Sequence, residues 1–165
     1  MSKSVEQLIM TLNKEYEIYE EVLKLAKEKK RVVIDGRIKE LDAITRKEQS
    51  IIFNLGKIDK VREALTINIS KELRIEVFEN VTELSQYLEG DLKDQILEVR
   101  DKLVDIVEKV KKANDLNNKL IQQSLEYIEF NKNLLTSMET KGITYGSMAD
   151  EKEVKTKNNL FDARV

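Results

Sequence analysis

The 165-residue chain contains no cysteine, histidine, proline or tryptophan. Each absence closes a class of chemistry. Without cysteine or histidine, zinc sites, thiol chemistry, disulfides and histidine-based triads are excluded together. A di-iron bundle fails for the same reason, because it needs Glu-x-x-His pairs. No glycine-rich phosphate loop, His-Glu-x-x-His or nucleophile elbow occurs, so no enzyme is expected and no cofactor or metal. Average usage near 5% would supply roughly eight prolines. With none, and only five glycines, little interrupts a helix. Aromatics are only 5% while charged residues reach 36%, so burial must come from Leu, Ile and Val stripes rather than a thick globular centre.

Long hydrophobic runs are also missing. The opening MSKSVEQLIM passes straight into an amphipathic pattern with no apolar core of signal-peptide length, and no stretch of about 18 uncharged apolar residues occurs. The chain is expected to be soluble and cytoplasmic. A net charge of −2 gives little attraction for nucleic acid or an anionic membrane.

What is present is one long periodic segment. Leu92, Ile96, Val99, Leu103, Ile106, Val110, Ala113, Asn117, Leu120, Ser124, Tyr127, Asn131, Leu134 and Met138 follow 4-3 spacing, the seam of a single helix. From Asp91 to Met138 such a helix spans roughly 72 Å, longer than a compact domain of this size needs. Its seam is apolar to Ala113. Thereafter Asn117, Ser124 and Asn131 enter at every seventh position, flanked by Ile121, Leu125, Ile128 and Leu135.

Two helices precede it. The first is expected over about Val5 to Lys30, ending in Lys27, Lys29, Lys30 and Arg31, where cations complement the helix dipole. That reading is preferred to a phosphate site. Asp35-Gly36 then marks a turn. The second is expected from about Arg37 to Leu65 with the seam Leu41, Ile44, Glu48, Ile51, Leu55, Ile58, Arg62 and Leu65. Glu48 and Arg62 lie about 21 Å apart along one helix, so each should meet a charge on the first or the long helix. From Thr66 to Gly90 the pattern weakens, with short helices expected around Lys71 to Phe78 and Thr82 to Leu88, and Gly90-Asp91 capping the long helix. Residues 142–165 lack a sustained period and read as a flexible tail, with Tyr145 and Leu160-Phe161 as candidate docking residues.

The fold expected is all-α, an elongated antiparallel three-helix bundle or coiled coil over residues 1–141 with one long C-terminal helix and a flexible tail. The first two helices, roughly 39 and 44 Å long, leave the long helix uncovered from about Leu120. Leu120, Ile121, Leu125, Tyr127, Ile128, Leu134, Leu135 and Met138 would then form an exposed apolar surface of the kind that accepts a partner helix. Dimerisation through the same stripe, or cover by Thr66 to Gly90, would also hide it. Asn117, Ser124 and Asn131 either fix register, as buried Asn does in coiled coils, or hydrogen-bond a bound helix and discriminate among partners.

The order of these features resembles the FlgN family of flagellar export chaperones. The resemblance rests on LDAITRKEQSIIFNLGKIDKVREAL, with Glu48 and Arg62 inside a leucine seam, on ANDLNNKLIQQSL, with Asn-x-x-Asn-x-x-Leu, and on the following TYG. It covers nearly the whole chain, Thr66 to Gly90 being the part without a matching motif. It implies a cytosolic type III export chaperone for the hook-filament junction proteins FlgK and FlgL, binding their C-terminal helical segments and preventing premature assembly. On that reading Asn114, Asn117, Leu120, Ile121, Leu125 and Ile128 face the client, joined by Ser124, Tyr127, Asn131, Leu134 and Leu135. Tyr145 and Gly146 fall where such chaperones dock on the export gate protein FlhA. A monomer or weak dimer is expected. The alternatives are a homodimeric coiled-coil scaffold or adaptor without a client, and a chaperone for other export cargo.

Overall fold

The computed structural model describes residues 2–139, with side chains through Ser137. It is a bundle of long helices: α1 (Lys3–Asp35), α2 (Ile38–Leu73), a single turn α3 (Val81–Ser85) and α4 (Gly90–Glu139). No strand occurs among the described residues.

Helix α1 starts at Ser2, whose side chain accepts from the Val5 amide, satisfying one of the orphan donors of a helix N-terminus. The helix runs past the basic cluster to Asp35, five residues beyond the expected end. Gly36 stops it in the left-handed conformation at φ 67°, which glycine adopts without a Cβ penalty. The cations at 27–31 are therefore not in the last turn. Lys29 is instead an interhelical partner, its Nζ 3.1 Å from Oε1 of Glu48 on α2.

Helix α2 also outruns its expected end. β-branched Thr66, Ile67 and Ile69 with Asn68 and Ser70 have modest helix propensity, but Leu65 and Ile69 fall four apart on one face and are both buried, so packing carries the helix on to Leu73. It then terminates at Arg74 in the left-handed region, φ 56°. Residues 75–78 are consequently not helical, contrary to the helix expected around Lys71 to Phe78. The turn α3 lies within the second expected segment. It is capped by Asn80, which accepts from the Glu83 amide, while the Glu83 carboxylate accepts from the Glu79 amide, a variant of the reciprocal capping box.

Direction follows from the contacts. Ser2 and Ser4 at the start of α1 donate to Glu72 near the end of α2, so these two helices are antiparallel. Helix α4 begins beside α3, where Arg100 donates to Thr82. Farther on, Asn117 reaches the Ala26 carbonyl on α1. Helix α4 thus runs the same way as α1 and opposite to α2. Helix α1 packs on both of the others, whereas no Cα of α2 comes within 8 Å of a Cα of α4 among the described residues.

The core is unevenly distributed. Its main cluster joins Val5, Leu8, Leu12 and Tyr19 of α1, Leu65 and Ile69 of α2, Phe78, Val81, Leu84 and Leu88 around α3, and Ile96, Val99, Leu103 and Val110 of α4. Toward the α1–α2 turn only a small cluster of Leu25, Val32 and Ile44 remains. The segment between α2 and α4 plugs the thick end of the bundle. It does not cover the far part of α4.

Candidate functional site

Every helix seam here combines apolar residues with a few polar ones, and the polar ones fix how the helices meet. Seam spacing from Val5 along α1 passes through Glu15 and Lys29, and these meet the two seam charges of α2. Arg62 Nη1 lies 3.2 Å from both Oε1 and Oε2 of Glu15, and Lys29 pairs with Glu48. Both charges of α2 therefore find their partners on the first helix, one of the two places the sequence left open. Glu15 and Lys29 themselves were not singled out from sequence, although the 3-4 register from Val5 contains them. Burial raises the Glu15 carboxyl above its ordinary value of 4.5, an effect that Arg62 opposes and Asp59 reinforces. Burial and then the Glu15 charge also raise the neighbouring Tyr19 hydroxyl.

On α4 the corresponding polar residue is Asn117. It is 2% exposed and its Nδ2 donates to the Ala26 carbonyl at 2.8 Å, while Oδ1 is buried without a partner. The structure thus places Asn117 in the α1–α4 interface rather than on an open surface. Asn114, one turn earlier, is half-buried.

Beyond Asn117 cover by α1 runs out. Extending the Ala26–Asn117 register sets Asp35, the last residue of α1, level with about residue 126, so the final 13 residues of α4 project about 20 Å past the turn. This overhang is shorter than the roughly 30 Å expected, because α1 reaches Asp35 rather than Lys30 and covers α4 for another turn or more. Leu120, Ile121 and Ser124 are accordingly half-buried, and the Ser124 hydroxyl donates back to the Leu120 carbonyl. Leu125, Tyr127, Ile128, Leu134 and Leu135 are 49–67% exposed, with Asn131 half-buried among them. Phe130, equally open at 63%, lies three residues from Tyr127 and four from Leu134 and extends the patch. Sequence reading missed it because it is off the seam, although i, i+3 and i+4 neighbours share a helix face. Met138, Tyr145, Gly146 and Leu160-Phe161 lie outside the residues whose side chains are described.

Charge changes along α4 with its environment. Residues 91–112 hold 12 charged side chains, several in i, i+4 pairs such as Glu98–Lys102, Asp105–Lys109 and Glu108–Lys112. Residues 116–137 hold only Lys119, Glu126, Glu129 and Lys132, with amides and hydroxyls taking the remaining polar positions. A solvated helix needs charge. A stripe left apolar and amide-rich where no part of the described chain covers it is suited to another polypeptide. Among the described residues no acidic cluster is arranged to hold a metal ion, and no helix is long and apolar enough to cross a membrane.

An all-α bundle that extends one helix beyond its core as an apolar stripe covered by no described residue has the form of helical proteins that bind other polypeptides. The particular family is shown by comparison: residues 1–153 match the family described as FlgN protein, and the chain belongs to it. The family is one of flagellar export chaperones, with protein clients. A relative in Bacillus subtilis (strain 168), described as uncharacterized protein YvyG, is 24% identical over 162 residues, covering 98% of this chain and 99% of that protein. No solved structure matches.

Proposed function

We propose that this protein is a cytosolic type III export chaperone whose α4 overhang holds the C-terminal helical segment of the hook-filament junction proteins FlgK and FlgL. Holding that segment prevents assembly before export. The observation that carries the reading is the exposed stripe from Leu125 to Leu135 on a helix that outreaches its bundle. A client helix lying there buries Tyr127, Ile128, Leu134 and Leu135, which flank Asn131 on one face of α4, and this burial drives association. Ser124 and Asn131 break the stripe with polar groups, so a wrong partner leaves them unpaired. The surface is modest and interrupted, which suits a client that must later be released. Delivery to FlhA is assigned to Tyr145 and Gly146, close behind the overhang in sequence.

Isothermal titration with C-terminal fragments of FlgK and FlgL tests this, alongside the Leu120→Asp/Ile128→Asp variant. Saturable one-to-one binding that the variant abolishes supports the chaperone reading. A folded, tightly dimeric wild-type protein that binds neither fragment overturns it in favour of a scaffold.

A further inference from the structure

The chain is weakly acidic as a whole, but its charge is not evenly spread. Residues 24–48, which form the end of α1, the turn and the start of α2, carry nine Lys and Arg against five Asp and Glu, a local net charge of +4 within a chain of −2. The basic cluster at 27–31 is not explained by a helix end, because α1 continues to Asp35. Ion pairing accounts for only part of it. Lys29 pairs with Glu48, Arg37 with Asp35 and Glu40, and Arg46 with Asp42, whereas Lys27, Lys30, Arg31 and Lys39 are exposed and form no ion pair with a described residue.

The same end of the bundle exposes two large aliphatic side chains on either side of Gly36, Ile34 at 62% and Ile38 at 80%. Because α4 runs parallel to α1, its overhang leaves the bundle at this end. Lys27, Lys30, Arg31 and Ile34 share the solvent face of α1. A polypeptide lying along the overhang and continuing past the turn meets first Ile34 and Ile38 and then these cations.

We infer that the α1–α2 turn is the second half of the partner-binding surface, and that it takes a stretch of the bound polypeptide rich in carboxylates. This rests on the reading of α4 as the client site and adds the chemistry of the client beyond its apolar stripe. Residues 116–137 of α4 supply burial but are themselves neutral, with Lys119 and Lys132 against Glu126 and Glu129. Charge selection therefore falls to the turn, where complementarity speeds association and rejects basic competitors. A discrete small anion is a poorer fit, since the hollow between α1 and α2 beside Arg31, Arg37 and Lys47 is also lined by Glu28 and Glu40. A flat anionic bilayer is a poorer fit as well, because the overhang projects about 20 Å past the turn and holds a plane away from it.

The test uses the full chain and FlgK and FlgL C-terminal fragments as probes, with the Lys27→Gln/Lys30→Gln/Arg31→Gln variant, the overhang variant Leu120→Asp/Ile128→Asp, and Lys93→Gln/Lys102→Gln as a control at the opposite end. Circular dichroism establishes that each is folded. The turn variant should bind about tenfold more weakly at low salt and lose most of the salt dependence shown by the wild type, while the opposite-end control binds normally. If the wild type binds, the overhang variant does not, and the turn variant binds like the wild type at every salt concentration, the inference is overturned and the client reading stands. If the wild type binds neither fragment, both fall. Retained fragment binding with loss of sedimentation on vesicles containing 30% phosphatidylglycerol would assign the turn to lipid instead and also overturn the inference.

Discussion

Glu15 of α1 and Arg62 of α2 form a two-pronged ion pair inside the bundle, with both carboxylate oxygens 3.2 Å from Arg62 Nη1. Fourteen residues farther along α1, and fourteen back along α2, Lys29 and Glu48 form a second pair with the signs exchanged between helices. The spacing makes the two pairs a register code. Sliding one helix by two heptads in one direction brings Glu15 opposite Glu48, and in the other brings Lys29 opposite Arg62. A slip of one heptad sets Glu15 against Leu55 or Ile69. Every alternative buries an unpaired or repelled charge, while the native register pairs all four.

Breaking the pair should cost more than removing it. Glu15→Met and Arg62→Met should each destabilise the protein by about 1–3 kcal/mol, below the full penalty of a dry buried pair because Arg62 remains partly open. The Glu15→Met/Arg62→Met double variant should recover most of that loss. Urea unfolding of the four proteins gives the coupling, and strictly additive losses would show that the pair does not act as a unit.

The raised Glu15 carboxyl predicts a pH signature. Its folded value lies above 4.5, so the native state holds the proton more tightly than the unfolded chain. The resulting stability is fully present below about pH 4.5 and is lost as pH rises through the folded value. Relative to Glu15→Gln, the wild type should therefore lose stability between pH 4 and 7. A difference that stays constant across that range would place the carboxyl at its ordinary value.

Asn117 combines one hydrogen bond with one orphaned oxygen. Asn117→Leu removes both, which should leave stability unchanged or raise it by about 1 kcal/mol, whereas Asn117→Asp should cost at least about 2 kcal/mol. Because the side chain faces α1, Asn117→Leu should bind FlgK and FlgL fragments like the wild type. Loss of binding in a folded Asn117→Leu protein would return this residue to the client surface.

The two halves of α4 should respond oppositely to substitution. Leu103 is fully buried, and Leu103→Ala should cost about 2–5 kcal/mol. Ile128→Asp and Leu134→Asp, on the overhang, should change stability by no more than about 0.5 kcal/mol while abolishing client binding. Thermal melting beside titration separates the effects.

Tyr145 lies outside the proposed client stripe. Tyr145→Ala should keep fragment affinity and weaken pull-down with the cytoplasmic domain of FlhA. Loss of client binding in that variant would move the tyrosine to the other site.

Much of this was legible in the residues themselves. The 3-4 spacing of Leu41, Ile44, Ile51 and Leu55, and of Ile96, Val99, Leu103 and Ile106, shows the helices directly because burial demands that period. Element ends were less legible. Lys27 to Arg31 resembles a helix terminus in charge, but charge near a terminus contributes tenths of a kcal/mol and an interhelical role for Lys29 looks the same in one dimension. Thr66 to Ser70 has weak propensity that packing of Leu65 and Ile69 overrides. Asn117 posed a different difficulty, since the same seam packs on α1 over part of its length and meets no described residue farther on, and periodicity alone does not mark where the change occurs.

Because α1 packs on both α2 and α4, whereas no Cα of α2 comes within 8 Å of one of α4 among the described residues, the order of synthesis matters. The α1–α2 hairpin, with its ion-pair register, can close as soon as Leu73 has left the ribosome, whereas the Ala26–Asn117 contact joins residues far apart in sequence and must wait for most of α4. The sticky end of α4 is therefore made after the rest of the bundle. It emerges onto a scaffold already in place, which shortens the interval in which an uncovered apolar helix has no bundle to hold it.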